Sequence, residues 1–142
     1  MPYISALFHF VWTTKNRQPL LTKEIRGLVF DHIQQNARNK EIYIDCINGH
    51  VEHVHCLVSL SSDQSISKVV QLLKGESSWW INKEKICREK FEWQNEYYAV
   101  SFNYSNLKRI RAYINNQEIH HQKKTFQEEY AEFISEYGFE KK

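Results

Sequence analysis

Glycine and proline are scarce in this chain, four and two residues among 142. That leaves little room for long irregular segments, so mostly regular structure joined by short connections is expected. Cysteine is sparse too: Cys46, Cys56 and Cys87 are odd in number and include no Cys-x-x-Cys. They point to a reduced protein whose thiols act as small core hydrophobes rather than to a disulfide framework. No stretch approaches the length of a membrane span, and no basic segment leads into a long apolar run, so a cytoplasmic location without membrane contact is expected. Charge of one sign is not in excess. The net charge is +2, with a pI near 8.4, which permits a nucleic-acid partner without arguing for one unless the charge is clustered. There is no internal repeat, low-complexity tract or linker, and the length suits a single domain over residues 1–142.

Against that plain background, His53-Val54-His55 stands out, set in the run from Ile47 to Leu60. In an extended strand, residues i and i+2 share a face about 7 Å apart. Val54, Cys56, Val58 and Leu60 then form an apolar core side, and the two imidazoles point the other way. Imidazole is a common ligand of divalent transition metals.

The pattern along the chain predicts a first strand over 3–14 and a helix from the cap Thr22 to about Asn39, with Ile25, Leu28, Val29, His32 and Ile33 on one face. A strand from Glu41 to Asn48, the Asn48-Gly49 turn signal and the histidine strand form a hairpin. Ser65 caps a second helix whose stripe is Ile66, Val69, Val70 and Leu73, and Gly75-Glu-Ser-Ser78 interrupts or ends it. A fourth strand spans Glu96 to Phe102. Asn106 caps a third helix through about Gln122, and a C-terminal helix runs from Thr125 to Tyr137. Strand, helix, strand, strand, helix, strand is the split pattern of an α+β, ferredoxin-like (RRM-like) sandwich, an antiparallel sheet of about four strands covered by helices. That fold hosts many activities.

On the third helix, Tyr113 and Gln117 stand in an i, i+4 relation and share a face. One reading packs Tyr113 in the core and leaves Gln117 solvated. The other makes Tyr113 a nucleophile, since tyrosine forms covalent intermediates, and gives the Gln117 amide oxygen to a neighbouring metal. His120 and His121, about two turns further on, are candidates to assist or to touch DNA, whereas His9 and His50 are expected to be structural or peripheral. Glu76 receives no role.

The His-hydrophobe-His strand followed by a helical Tyr-x-x-x-Gln resembles the single-tyrosine HUH transposases of small bacterial insertion sequences and their REP-associated relatives. The likeness extends over Phe8-His-Phe-Val-Trp-Thr-Thr-Lys15, Leu73-Lys-Gly-Glu-Ser-Ser78, Phe91-Glu-Trp-Gln94 and Tyr113-Ile-Asn-Asn-Gln117-Glu-Ile-His-His121. One departure is Val51-Glu52, where the family commonly has Pro followed by Asp or Asn.

The resemblance implies a metal-dependent strand transferase that cleaves and rejoins single-stranded DNA with hairpin ends through a 5′-phosphotyrosine intermediate. Tyr113 would be the nucleophile, and His53, His55 and Gln117 would hold Mg²⁺ or Mn²⁺. It also implies a homodimer whose active sites are shared between subunits. Lys74, Lys108, Arg109 and Arg111 are candidate phosphate contacts, and Trp79, Trp80, Trp93, Tyr97 and Tyr98 are candidate stacking surfaces. The alternative is a non-catalytic single-stranded nucleic-acid-binding module of RRM-like fold, which needs neither metal nor Tyr113. The glycine-aromatic pattern of such a module's central strand is missing. A hydrolase with water as nucleophile is a third reading, in which Tyr113→Phe leaves cleavage intact.

Overall fold

The computed structural model describes residues 2–117 together with 125, 127–129, 131 and 132. Strands β1 (Leu7–Thr13), β2 (Tyr43–Gly49), β3 (His53–Ser59) and β4 (Tyr98–Ser101) form one sheet in the order β2-β3-β1-β4, with every neighbouring pair antiparallel. Helix α1 (Lys23–Asn39) links β1 to β2, α2 (Ile66–Lys83) links β3 to β4, and α3 (Leu107–Asn115) follows β4. This is the expected ferredoxin-like α+β sandwich. A segment at 127–132 is helical where described, with the Thr125 hydroxyl accepting from the Glu128 N–H, as the sequence predicts for the start of a C-terminal helix.

The main core lies on one side of the sheet. Phe10 and Trp12 of β1 and Val54, Cys56 and Val58 of β3 pack against Val29, Phe30 and Ile33 of α1 and Val69, Val70 and Leu73 of α2. Strand alternation thus delivers the predicted core face of β3. On the other side, Leu57 meets Leu107, Ile110 and Ile114 in a smaller, separate cluster that seats α3 against the sheet. Both faces of β3 are therefore covered, which is why six of its seven residues are buried.

Several expected boundaries move. β1 begins at Leu7 rather than Tyr3, which is 99% exposed, and β4 begins at Tyr98 rather than Glu96. The α1 stripe is partly rotated: Val29 and Ile33 are buried as expected, but Leu28 is exposed, and Phe30 and Ala37 are buried instead. Gly75-Glu-Ser-Ser78 does not break α2, which runs unbroken to Lys83. Its Ser hydroxyls are satisfied within the helix by Leu73 and Gly75 carbonyls, and a Cβ at Gly75 would meet nothing. Glu76 does have a partner, the ring of His32 on α1, and Trp80 stacks on that ring at 3.9 Å. Of the helix caps, Ser65 accepts from the Lys68 N–H as expected, while Thr22 and Asn106 make no side-chain capping bond.

Gly49 closes β2 because nothing larger fits. A Cβ there would stand 2.1 Å from the His53 carbonyl oxygen. Gly49→Ala is expected to cost about 1–3 kcal/mol by forcing backbone apart at a packed hairpin, read as a lowered denaturation midpoint.

Candidate metal and tyrosine site

The site is built on the face of β3 away from the main core. His53 and His55 are fully buried side by side, ring centroids 5.0 Å apart. Each presents Nε2 to an oxygen. The Nε2 of His53 lies 3.0 Å from Gln117 Oε1, and that of His55 lies 2.9 Å from Glu129 Oε1. The opposite nitrogens are also engaged: His53 Nδ1 lies 2.7 Å from Glu52 Oε1, and His55 Nδ1 lies 2.8 Å from His9 Nε2. Such outer partners fix ring orientation at metal sites.

His9 sits on β1 opposite Leu57, so strand pairing puts it on the histidine face. Burial, then the electrostatic influence of neighbouring His55, holds its pKa well below the usual histidine value, with Glu129 pulling the other way. A neutral His9 can accept from a protonated His55 Nδ1, which leaves the lone pair of His55 Nε2 directed at the site. His9 is therefore structural in the sense expected, but central rather than peripheral.

α3 brings Tyr113 to the same place. Its ring stands edge-on to His55 with centroids 5.6 Å apart, and its hydroxyl donates to Glu129 Oε1 at 2.5 Å. The helix is anchored by the Leu57 cluster and by Asn48, whose amide donates to the Ile114 carbonyl at 3.0 Å. Gln117 is fully buried rather than solvated. The resemblance implies active sites shared between subunits. Here α3 lies on the sheet of its own chain, and one chain brings Tyr113, Gln117 and both histidines together.

These residues suit a divalent cation. One ligand atom from each of His53, His55 and Glu129 falls within 4.8 Å of the others. His53 faces an oxygen at both ring nitrogens, and a neutral imidazole has a proton for only one of them. A cation held by His53, His55, Gln117 and Glu129 would remove that conflict.

Glu129 and the Glu52 contact escaped the sequence reading. Nothing in local periodicity announces that a carboxylate sixteen positions after Tyr113 folds back to it. Glu52 was visible as a carboxylate preceding a candidate ligand, which is a usable signal.

The candidate DNA contacts divide. Lys108 and Arg109 are exposed on α3. Arg111 is committed to a two-pronged ion pair with Asp45, which also raises its pKa. Lys74 donates to the carbonyls of Gln94, Asn95 and Glu96, and burial lowers its pKa to about 8. Its expected phosphate role gives way to pinning that segment. His120 and His121 lie outside the described residues. Of the aromatics, Trp93 is buried and Trp80 is taken up by His32, whereas Trp79 is 58% exposed beneath the Lys83 ammonium.

The family model described as "Transposase IS200 like" matches residues 3–117. The chain belongs to the IS200-like transposase family. A curated relative, the ISDra2 transposase TnpA of Deinococcus radiodurans, is 25% identical over 116 residues, covering 78% of this chain and 82% of that protein. Among solved structures, a transposase from Deinococcus radiodurans aligns with a TM-score of 0.66 and 21% identity, over 82% of this chain and 95% of its own. A REP-associated tyrosine transposase bound to a REP hairpin aligns with a TM-score of 0.60 and 19% identity, over 87% of this chain and 71% of its own. Both structures share the fold of this transposase. The family match stops at Gln117, so Glu129 belongs to a part of the chain that it does not describe. No described helix of the transposase is long and apolar enough to cross a membrane.

Proposed function

We propose that this transposase cleaves and rejoins single-stranded DNA with Tyr113 as nucleophile, through a 5′-phosphotyrosine linkage. The observation that carries the reading is the meeting of Tyr113, Gln117, Glu129, His53 and His55 in one cluster. A divalent cation, Mg²⁺ or Mn²⁺, held by the two Nε2 atoms with Gln117 and Glu129, would stabilise the charge that builds on the phosphate oxygens.

A free phenol has a pKa near about 10 and is a weak nucleophile at neutral pH. Glu129 Oε1, which accepts the hydrogen bond of the Tyr113 hydroxyl, takes its proton as attack begins. The phenolic oxygen bonds to phosphorus, the bond from phosphorus to the 3′-oxygen breaks, and that oxygen leaves as a hydroxyl with a proton from water. The new linkage keeps the phosphodiester bond energy. A second 3′-hydroxyl can then attack it, losing its proton to water, while Tyr113 recovers its own proton from Glu129. Glu52 and His9 keep both ligand rings oriented throughout.

The REP-bound relative supports hairpin-bearing DNA as the substrate, and the exposed Lys108 and Arg109, on the helix that carries Tyr113, would contact its phosphates. The test is incubation with single-stranded oligonucleotides carrying the palindromes that flank the gene, followed by denaturing electrophoresis. A protein–DNA adduct should form with Mg²⁺ or Mn²⁺ and be lost with chelator. Absence of any adduct across these substrates overturns the reading.

The contacts within one chain favour a site completed in cis. Mixing Tyr113→Phe with His53→Ala/His55→Ala under conditions of subunit exchange should then leave cleavage dead. Recovered cleavage, as two-fold symmetric dimers with exchanged helices would give, shows the shared arrangement instead.

A further inference from the structure

Three of the sequence segments singled out above, around Trp12, Lys74 and Gln94, contribute neither ligand nor nucleophile, yet they meet at one place. A cavity of about 330 Å³ opens beside the end of β1, lined by Trp12 and Thr13, by Asn16 and Arg17, and by Gln94, Glu96 and Tyr98 across from them. We propose that it receives an unpaired nucleobase next to the phosphate that Tyr113 attacks, an inference that rests on the strand-transfer reading above.

Position is the first argument. Thr13 is the cross-strand partner of His53, so their side chains share a face about 5 Å apart. Tyr98 pairs with Val11, which in turn pairs with His55, so the same row runs from the ligand to the cavity wall. A strand whose phosphate lies at His53 and His55 therefore has its neighbouring nucleotide at this opening.

Chemistry is the second. The wall offers an aromatic ring for stacking and amide, carboxylate and guanidinium groups for a base edge, the combination that reads unstacked bases. The Glu96 carboxylate can only accept while ionised, so it favours a base edge that presents N–H donors.

Construction is the third. Asn16 and Arg17 both hold left-handed backbone, with φ of 56° and 54°, a conformation unfavourable for residues other than glycine. The turn is fastened by the Asn16 N–H donating to Gln94 Oε1 and the Lys15 N–H donating to the Glu92 carbonyl. The facing wall is fastened by Lys74 on the carbonyls of residues 94–96 and by Trp93 Nε1 donating to Ser77 Oγ. A built wall of this kind holds a shape that an ordinary surface loop does not.

The experiment is covalent capture from a pool of hairpin oligonucleotides whose unpaired flanking positions are randomised, followed by sequencing of the captured strands. Wild-type protein should show a base preference at the position bordering the cut. Glu96→Gln, a change at an exposed carboxylate that leaves the fold alone, should shift that preference about tenfold at that position only. Tyr98→Ala should lower capture about tenfold, and an abasic nucleotide at the position should then bring no further loss. Wild-type adducts with a preference unchanged in Glu96→Gln, and additive losses in Tyr98→Ala, overturn the pocket while leaving the strand-transfer reading intact. No wild-type adduct at all overturns that reading and the pocket with it.

Discussion

Tyr113→Phe is expected to abolish the covalent protein–DNA adduct entirely while leaving the fold and hairpin affinity close to wild type. The substitution removes one oxygen from a half-buried ring whose edge contact with His55 is unaffected. The lost hydroxyl donates to Glu129, whose Oε1 still lies 2.9 Å from His55 Nε2 in position to share a bound cation with it. Denaturing electrophoresis and thermal melting on the same preparation separate the two effects. Persistent adduct in Tyr113→Phe would assign the nucleophile elsewhere, and persistent cleavage without adduct would point to water.

His55→Ala is expected to remove metal-dependent cleavage, with a loss of at least about a thousandfold, because it deletes a ligand and strips Glu129 of its imidazole neighbour together. Metal affinity typically falls about 10- to 100-fold for an outer partner alone, so His9→Ala and Glu52→Ala should fall between wild type and His55→Ala. Gln117→Ala should be milder than His55→Ala, since a neutral amide oxygen is the weakest of the proposed ligands. Glu129→Gln distinguishes two functions of one carboxylate. It keeps an oxygen for the cation but not a base for the phenol, so metal binding should survive better than the rate of adduct formation. Calorimetric titration with Mn²⁺ beside single-turnover cleavage checks the series, and unchanged metal binding in His55→Ala would end the proposed site.

Much of this was legible in the sequence because alternation and helical spacing are local. The core face of β3 follows from Val54, Cys56 and Val58, and the pairing of Tyr113 with Gln117 follows from one helical turn. What escaped depends on register and return. His9 reaches His55 only because β1 and β3 pair with Leu57 opposite His9, which no local pattern specifies. The continuity of α2 through Gly75 was missed because glycine and two serines read as a breaker, whereas the helix is kept by contacts beyond it, Glu76 with His32 and Ser77 with Trp93. Tertiary packing outweighs propensity at such positions. Lys74 and Arg111 looked like phosphate contacts because sequence shows charge but not what the charge is already holding.

The tyrosine helix is seated by a cluster of four buried residues that the main core does not include. The sheet with α1 and α2 has its own, larger hydrophobic interior, so the two parts need not come apart in one step. Opening free energies differ across a structure in this way. Warming or mild denaturant would then disengage the attacking group as a sub-global event, with amide exchange in 107–115 rising ahead of that in β1 and β3. Inactivation of the transposase would precede its melting, and cooling would restore the activity without any refolding of the sheet.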